Sequence, residues 1–523
     1  MATRNPTLSR GELVFMSAAE LAAAIASGAI SATEVLEAHL ERITEVNPRL
    51  NALVVPTFEQ ARAEALACDR AQADGILLGP LHGVPISVKE CFHVAGTAST
   101  VGVERLRSEL FDVDNPLVTR LRAAGAVVLG KTNVPQLMVL YESVNPVFGR
   151  TCNPWDLARN AGGSTGGEAA LIAAGGSALG LGSDLGGSVR QPAQACGIHG
   201  FKPSAWRLPL EHLRNPFAGM EAFSLQPGLL ARHVGDLALG MHVLTADAGP
   251  QALPAIARSP RVDVRGLRVG YWRNDGYFRP SPAISRAVDE AAAALRELGA
   301  DVRPWQPPDA RYATHLCWRL ITSDGGASLR RLLGSSKRDK RVRKLLTMMG
   351  LPRAVRRPAA AVFRTIGQTR LADVVLNCGR VSADEYWQLS RDRAAYAERF
   401  LQSMQDAGVD VLLSPTYGLP AMPHGRSLYL LAAASYAMLF SLVGLPAGNI
   451  SISRVRPGEE TARPPSRDRA ERDARKIDLG SAGLPVGVQV AAGPNEDERA
   501  LAVMALLEEH FRGRTDYPLR PPL

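Results

Sequence analysis

Between Gly162 and Ser204, glycine and serine crowd together without becoming low-complexity sequence, and this stretch constrains the fold more than any other. It reads Gly162-Gly163-Ser164-Thr165-Gly166-Gly167, then an alanine-rich run, then Gly182-Ser183-Asp184-Leu185-Gly186-Gly187-Ser188-Val189-Arg190. Two serines embedded in glycines therefore flank a segment that reads as a small-residue helix. A hydroxyl beside glycines can approach a carbonyl closely, and bare backbone N–H groups can hold an anion. The pattern points to the chemistry of a serine hydrolase.

The rest of the chain alternates helix and strand signals. Ser17-Ala18-Ala19-Glu20 is a capping-box pattern opening a helix over Leu21–Ser27. A second helix is predicted from Ser31 to about Val46, with Val35, Leu36, His39, Leu40 and Ile43 on one face, and a third over Gln60–Ala73. Short apolar runs at Ile86–Lys89, Ala126–Lys131, Val269–Trp272, Val409–Ser414, Asn449–Val455 and Val486–Ala491 read as strands. Helices over Leu117–Ala124 and Ser281–Leu298 fall between them. This layering predicts an α/β fold: one large domain spanning residues 1–523, with a mixed central sheet covered by helices on both faces. Arg456–Lys476, rich in Arg, Glu, Asp and Pro, is expected to be a solvated, mobile loop.

Six cysteines lie scattered without ligand spacing, which suits a reduced, intracellular chain with neither a disulfide framework nor a metal site. Met1–Val14 has no signal-peptide character, and no apolar run reaches the roughly 18 residues of a membrane span. The nearest, Leu430–Leu445, is interrupted by Ser435, Tyr436 and Ser441 and is expected to be a buried core helix. The expected location is the cytoplasm.

A serine hydroxyl is a poor nucleophile until a base removes its proton. No histidine here lies in a triad motif, and no GxSxG elbow occurs. A lysine held neutral by burial is another base, because desolvation lowers a lysine pKa. Lys89, ending the apolar run from Pro85 to Val88, fits that description, although a strand-terminal lysine reaching solvent and serines serving plain turns are the ordinary alternatives.

Taken together, the two serine motifs, the run from Cys196 to Pro203 and the upstream Gly83–Phe92 closely resemble the amidase signature family, over about Ser17–Phe511. The resemblance implies Ser188 as nucleophile, Ser164 as proton bridge and Lys89 as ultimate base. It also implies an oxyanion hole from the N–H groups of Leu185, Gly186, Gly187 and Ser188, with Asp184 and Arg190 bracing the loop. No cofactor or metal is implied, and a homodimer is. Lys89–Phe92, Asn133–Gln136, Asn145–Phe148, Asn153–Trp155 and Gly166–Leu171 look like the fatty acid amide hydrolase subgroup. By that likeness Met138, Val139, Met438 and Leu439 would line an acyl channel for a lipophilic amide. Thr165 stands where the family commonly has a second serine, and no counterpart of the mammalian members' N-terminal spanning helix is expected.

Charge is concentrated. Arg330–Arg364 holds twelve basic residues against Asp339 alone, a segment charge of +11 in a chain totalling +9. The patch is therefore local. Val342, Leu345, Leu346 and Met349 form one apolar stripe, and Val355, Val362, Phe363 and Ile366 belong to a second. Residues 330–366 accordingly read as a basic amphipathic cap suited to an anionic membrane surface, with packing of the stripes on the core as the alternative. A nucleic-acid partner is not expected, because no aromatic platform accompanies the charges. Competing functions are an aryl- or polar-substrate amidase, an amidase component of an amidotransferase, an esterase of lipid esters, and a catalytically dead membrane-binding protein.

Overall fold

The computed structural model describes residues 9–246, 253–460 and 463–523. Most of the N-terminal segment before Val14, and Thr461 and Ala462 of the charged loop, lie outside them. Eleven strands form one sheet: β1 (Leu53–Pro56), β2 (Pro85–Lys89), β3 (Val127–Thr132), β4 (Leu179–Asp184), β5 (His199–Lys202), β6 (Gln226–Ala231), β7 (Arg268–Tyr271), β8 (Asp301–Pro304), β9 (Val411–Pro415), β10 (Ala447–Arg454) and β11 (Pro485–Ala492). Their spatial order is β1-β3-β2-β4-β6-β5-β10-β11-β9-β7-β8. Pairs β3/β2, β2/β4, β9/β7 and β7/β8 are parallel and the others antiparallel, so the sheet is mixed as expected.

Every residue of β2, β3, β4, β6, β9 and β11 is buried. Strands covered on both faces lose the polar alternation of a half-exposed sheet, which explains the nearly continuous apolar runs. The small-residue helix α1 (Gly166–Ala173) is buried along its whole length and packs against β4 and against helix α2 (Arg190–Cys196). Larger side chains would hold these elements apart.

The basic segment contains helix α3 (Lys340–Met349) and helix α4 (Arg353–Thr365). The two differ in a way the sequence reading does not anticipate. Val342, Leu345, Leu346 and Met349 of α3 are buried in the core, so they cannot serve as a membrane face. In α4 and just beyond it, Val355, Val362 and Ile366 are 46%, 58% and 55% exposed, with Phe363 half-buried beside them.

Two other expectations need correction. The Leu430–Leu445 segment is buried, but it begins as a 3-10 turn (Ser427–Ala434) before helix α5 (Ser435–Val443), and Gly444 ends it at φ +85°. Arg456–Lys476 is not a solvated loop in its described part. Helix α6 (Arg469–Asp478) starts there, capped by Asp468 at 2.8 Å from the Ala470 N–H. Arg463 is buried, donating to Asp478 at 2.9 Å, to Glu471 at 2.8 Å and to the Arg279 carbonyl at 2.8 Å. Among the described residues no helix is long and apolar enough to cross a membrane.

Candidate active site

Strands β2 and β4 run parallel as neighbours, with Ile86 opposite Leu179 and Val88 opposite Leu181. Their carboxyl ends therefore lie side by side, where α/β sheets commonly build sites. Lys89 ends one and Asp184 ends the other. Successive side chains alternate faces along a strand, so Ser87 and Lys89 share a face, and Thr132 of β3 pairs with Lys89 in register. The loop into α1 brings Ser164 and Thr165 over that face. Glycine is obligatory at position 163 of the loop, since a Cβ there would fall 2.5 Å from the Leu140 carbonyl oxygen and 2.7 Å from the Glu142 nitrogen.

Lys89 is fully buried and its Nζ has four oxygen neighbours: Ser164 Oγ at 2.8 Å, Thr165 Oγ1 at 2.9 Å, Ser183 Oγ at 2.9 Å and the Ser183 carbonyl at 3.1 Å. It has no ion pair among the described residues. Burial lowers its pKa to about 8, against the opposing pull of Cys91, Asp184 and Glu168. Glu168 lies one turn into α1, where it accepts hydrogen bonds from Ser87 and, at 2.6 Å, from Thr132. Burial pushes its carboxyl up to about 7.

Ser188 is the one half-exposed residue in Gly182–Arg190, all the others being buried. Asp184 braces the turn that presents it, accepting from the Gly187 N–H at 2.6 Å, from the Val189 N–H at 3.1 Å and from two Arg190 nitrogens at 2.9 Å. Burial alone would raise the Asp184 pKa, but Arg190 holds it well below the usual carboxylate range. Arg190 also donates to Gln489 at 2.6 Å and to the Ala437 carbonyl at 3.0 Å. The two residues join the turn to β11 and α5, as bracing groups should. Gly187 has φ +107°, and a Cβ there would meet Ala437 Cβ at 2.6 Å.

Of the four N–H groups expected at an oxyanion hole, Gly187's is engaged by Asp184. Those of Leu185, Gly186 and Ser188 make no hydrogen bond among the described residues, and Tyr141 fixes the intervening peptide by donating to the Gly186 carbonyl at 2.6 Å. The Thr165 N–H donates to the Ser188 carbonyl at 3.1 Å, tying the two serine loops together. No hydrogen bond joins Ser164 Oγ directly to Ser188 Oγ.

Ser188 opens into a cavity of about 90 Å³. Of the four residues named for an acyl channel, Met138, Val139 and Met438 line this cavity, whereas Leu439 is buried and does not. Sequence reasoning missed Trp318 and Ile321 on this wall and misassigned Leu345 and Met349, which face the cavity from α3. It also missed Glu168 and Ser183 near Lys89, while Thr165, singled out for its hydroxyl, proves to be a direct partner of Lys89. The only signal of Glu168 and Ser183 was closeness to Ser164 and Ser188 within the same motifs. Among the described residues no group of three His, Cys, Asp or Glu side chains converges as a metal site would.

Comparison with known proteins places the chain in a family. Residues 34–501 match the Amidase family model. The chain belongs to the amidase family. This amidase is 34% identical to Fatty-acid amide hydrolase 1 of Sus scrofa over 97% of its own length and 87% of that protein's. It is also 33% identical to a glutamyl-tRNA(Gln) amidotransferase component from Acidothermus cellulolyticus, over 96% of each chain. Among solved structures it resembles a fatty acid amide hydrolase with a TM-score of 0.81 at 27% identity, covering 96% of this chain and 86% of the other. The amidase is an amide-hydrolysing enzyme on an α/β fold.

Proposed function

We propose that this amidase hydrolyses lipophilic amides of the fatty acid amide class through an acyl-enzyme on Ser188. Neutral Lys89 accepts a proton from Ser164, which accepts one from Ser188 as its oxygen attacks the amide carbonyl. The tetrahedral oxyanion is held by the N–H groups of Leu185, Gly186 and Ser188. As the C–N bond breaks, Ser164 returns the proton to the leaving nitrogen and is reprotonated from Lys89. Water then attacks the ester by the same relay, releasing the acid and Ser188.

The observation that carries this reading is the pairing of a buried Lys89, without an ion-paired carboxylate among the described residues, with Ser164, in a loop that the Thr165 N–H ties to the half-exposed Ser188, whose cavity walls are largely apolar. That cavity is smaller than the roughly 300–1,000 Å³ of ordinary ligand sites, so a long acyl chain requires its walls to part. Leu345 and Met349 of α3 are the walls carried by the peripheral basic segment. The exposed stripe of α4, with Arg353, Arg357 and Arg364 nearby, supports docking of this face on an anionic membrane.

A panel of acyl amides of graded chain length, assayed with the isolated chain, tests the substrate class. Rates should climb with chain length. Rates indifferent to length overturn the lipid assignment. The likeness to an amidotransferase component supports a second reading, in which turnover requires partner chains; activity of the isolated chain excludes it.

A further inference from the structure

A second cavity, of about 370 Å³, lies beside the catalytic one. Leu431 is the one residue lining both, and α3 runs between them: Leu345 and Met349 face the catalytic cavity, Lys344 and Met348 the second. The second cavity combines two unlike surfaces. Met348, Leu371, Val374, Leu428 and Leu431 give it an apolar floor. Arg343, Lys344, Arg370 and Arg469 give it a cationic rim, against which Asp468 is the only acid among the described residues that line it.

That acid is already engaged, because its carboxylate accepts from the backbone N–H groups of Ala470 and Arg370, each at 2.8 Å. Arg343, Lys344 and Arg370 form no ion pair among the described residues, and Arg469 reaches only Asp473, at 3.6 Å. Tyr429 holds two of the cations at the mouth. The Arg469 guanidinium lies 3.7 Å from its ring centroid, and Lys344 Nζ donates to its hydroxyl at 3.1 Å. Clustered like charges repel one another, so an anion bound among them is favoured. The floor below favours an alkyl chain through burial of apolar area. The volume falls within the range of roughly 300–1,000 Å³ typical of small-molecule sites.

We propose that this cavity is a binding site, separate from the catalytic one, for a single-chain anionic amphiphile such as a free long-chain carboxylic acid. The head group lies among Arg343, Lys344 and Arg469, and the chain lies along Met348, Leu371 and Val374. The acid released from a lipophilic amide belongs to this class, so the site would let the enzyme respond to its own product. That consequence rests on the proposed function; the binding itself does not.

Calorimetric titration of the full chain carrying Ser188→Ala tests the site without turnover. Monomeric dodecanoate should bind about tenfold or more tightly than dodecanol or dodecyltrimethylammonium, which share the chain but not the charge. Adding Arg343→Glu with Lys344→Glu, both exposed, should weaken dodecanoate by a similar factor, and the milder Arg343→Gln with Lys344→Gln should weaken it less. Val139→Trp, at a residue that lines the catalytic cavity and not the second one, should leave dodecanoate affinity within about twofold. The proposal is overturned if affinity ignores head-group charge, survives charge reversal, or is lost in Val139→Trp. It is also overturned if anionic phospholipid vesicles bind where monomeric dodecanoate does not. A chain that turns over no amide would still give a readable titration, so the two proposals fail separately.

Discussion

Lys89 Nζ lies 2.8 Å from Ser164 Oγ, fully buried and with no carboxylate as an ion-pair partner among the described residues. An ammonium there has three N–H donors, and its direct partners among the described residues are hydroxyls and one carbonyl. A neutral amine has a lone pair that a serine hydroxyl can fill. Burial lowers the lysine's pKa to about 8, so more of it is in the form able to accept a proton than for a lysine in water.

The first prediction concerns the relay. Ser188→Ala should reduce amide turnover to background, and Ser164→Ala and Lys89→Ala should each lower kcat by about 10²–10⁴-fold, the usual worth of a positioned proton-transfer group. If the groups act as one unit, the double variant Ser164→Ala/Lys89→Ala should be no worse than the poorer single variant. Steady-state kinetics on a single acyl anilide measures all four.

The second concerns pH. Only neutral Lys89 is active, so kcat/KM should rise with pH and level off above about 8. Asp184, Cys91 and Glu168 are the charged or titratable groups that raise the lysine's proton affinity. Glu168→Gln removes one negative charge and keeps one of the two acceptor oxygens that Ser87 and Thr132 use, so the acid limb should move to lower pH. A limb that stays in place in a folded variant would show that Glu168 only packs.

The third concerns the brace. Asp184 and Arg190 are both fully buried and paired at 2.9 Å. Asp184→Ala leaves a buried guanidinium without its carboxylate, which should cost about 3–5 kcal/mol of stability in denaturant unfolding. It also removes the acceptor that shapes the Ser188 turn, so activity should fall well before unfolding begins.

The fourth concerns the cavity wall. Met349→Trp narrows the space in front of α3 and should discriminate against long acyl chains relative to acetyl by about 10–200-fold in kcat/KM, the range one apolar pocket can supply. A uniform loss across chain lengths would mean that α3 does not border the acyl path.

Local signals, glycines beside serines and a lysine ending an apolar run, made Lys89, Ser164 and Ser188 candidates in the sequence, but it was the family resemblance that joined them, since the lysine lies far from the serines along the chain. The mixed sheet was legible from local signals, since its strands are short apolar runs between helices. Other features depend on what packs against a residue. The stripe on α3 correctly marked an apolar face, but periodicity does not say what covers that face, and here it is the catalytic cavity and core. Met438 and Leu439 are neighbours, yet adjacent residues on a helix point about 100° apart, so only one lines the cavity. The charges after Arg456 read as solvated, but Arg463 meets Asp478 and Glu471 once helix α6 forms. Nor could spacing show that Asp184 would engage the Gly187 N–H.

The relay from Ser188 through Ser164 to Lys89 is tested most directly by the rate at which a fluorophosphonate modifies the protein between about pH 6 and 10, with the adduct located by peptide mass spectrometry. In the wild type the adduct should form on Ser188 alone, at a rate that rises with pH and flattens above about 8. In Lys89→Ala the rate should be far lower and lose that rise. An adduct on another residue, or a rate in Lys89→Ala that follows the wild-type profile, would contradict the account.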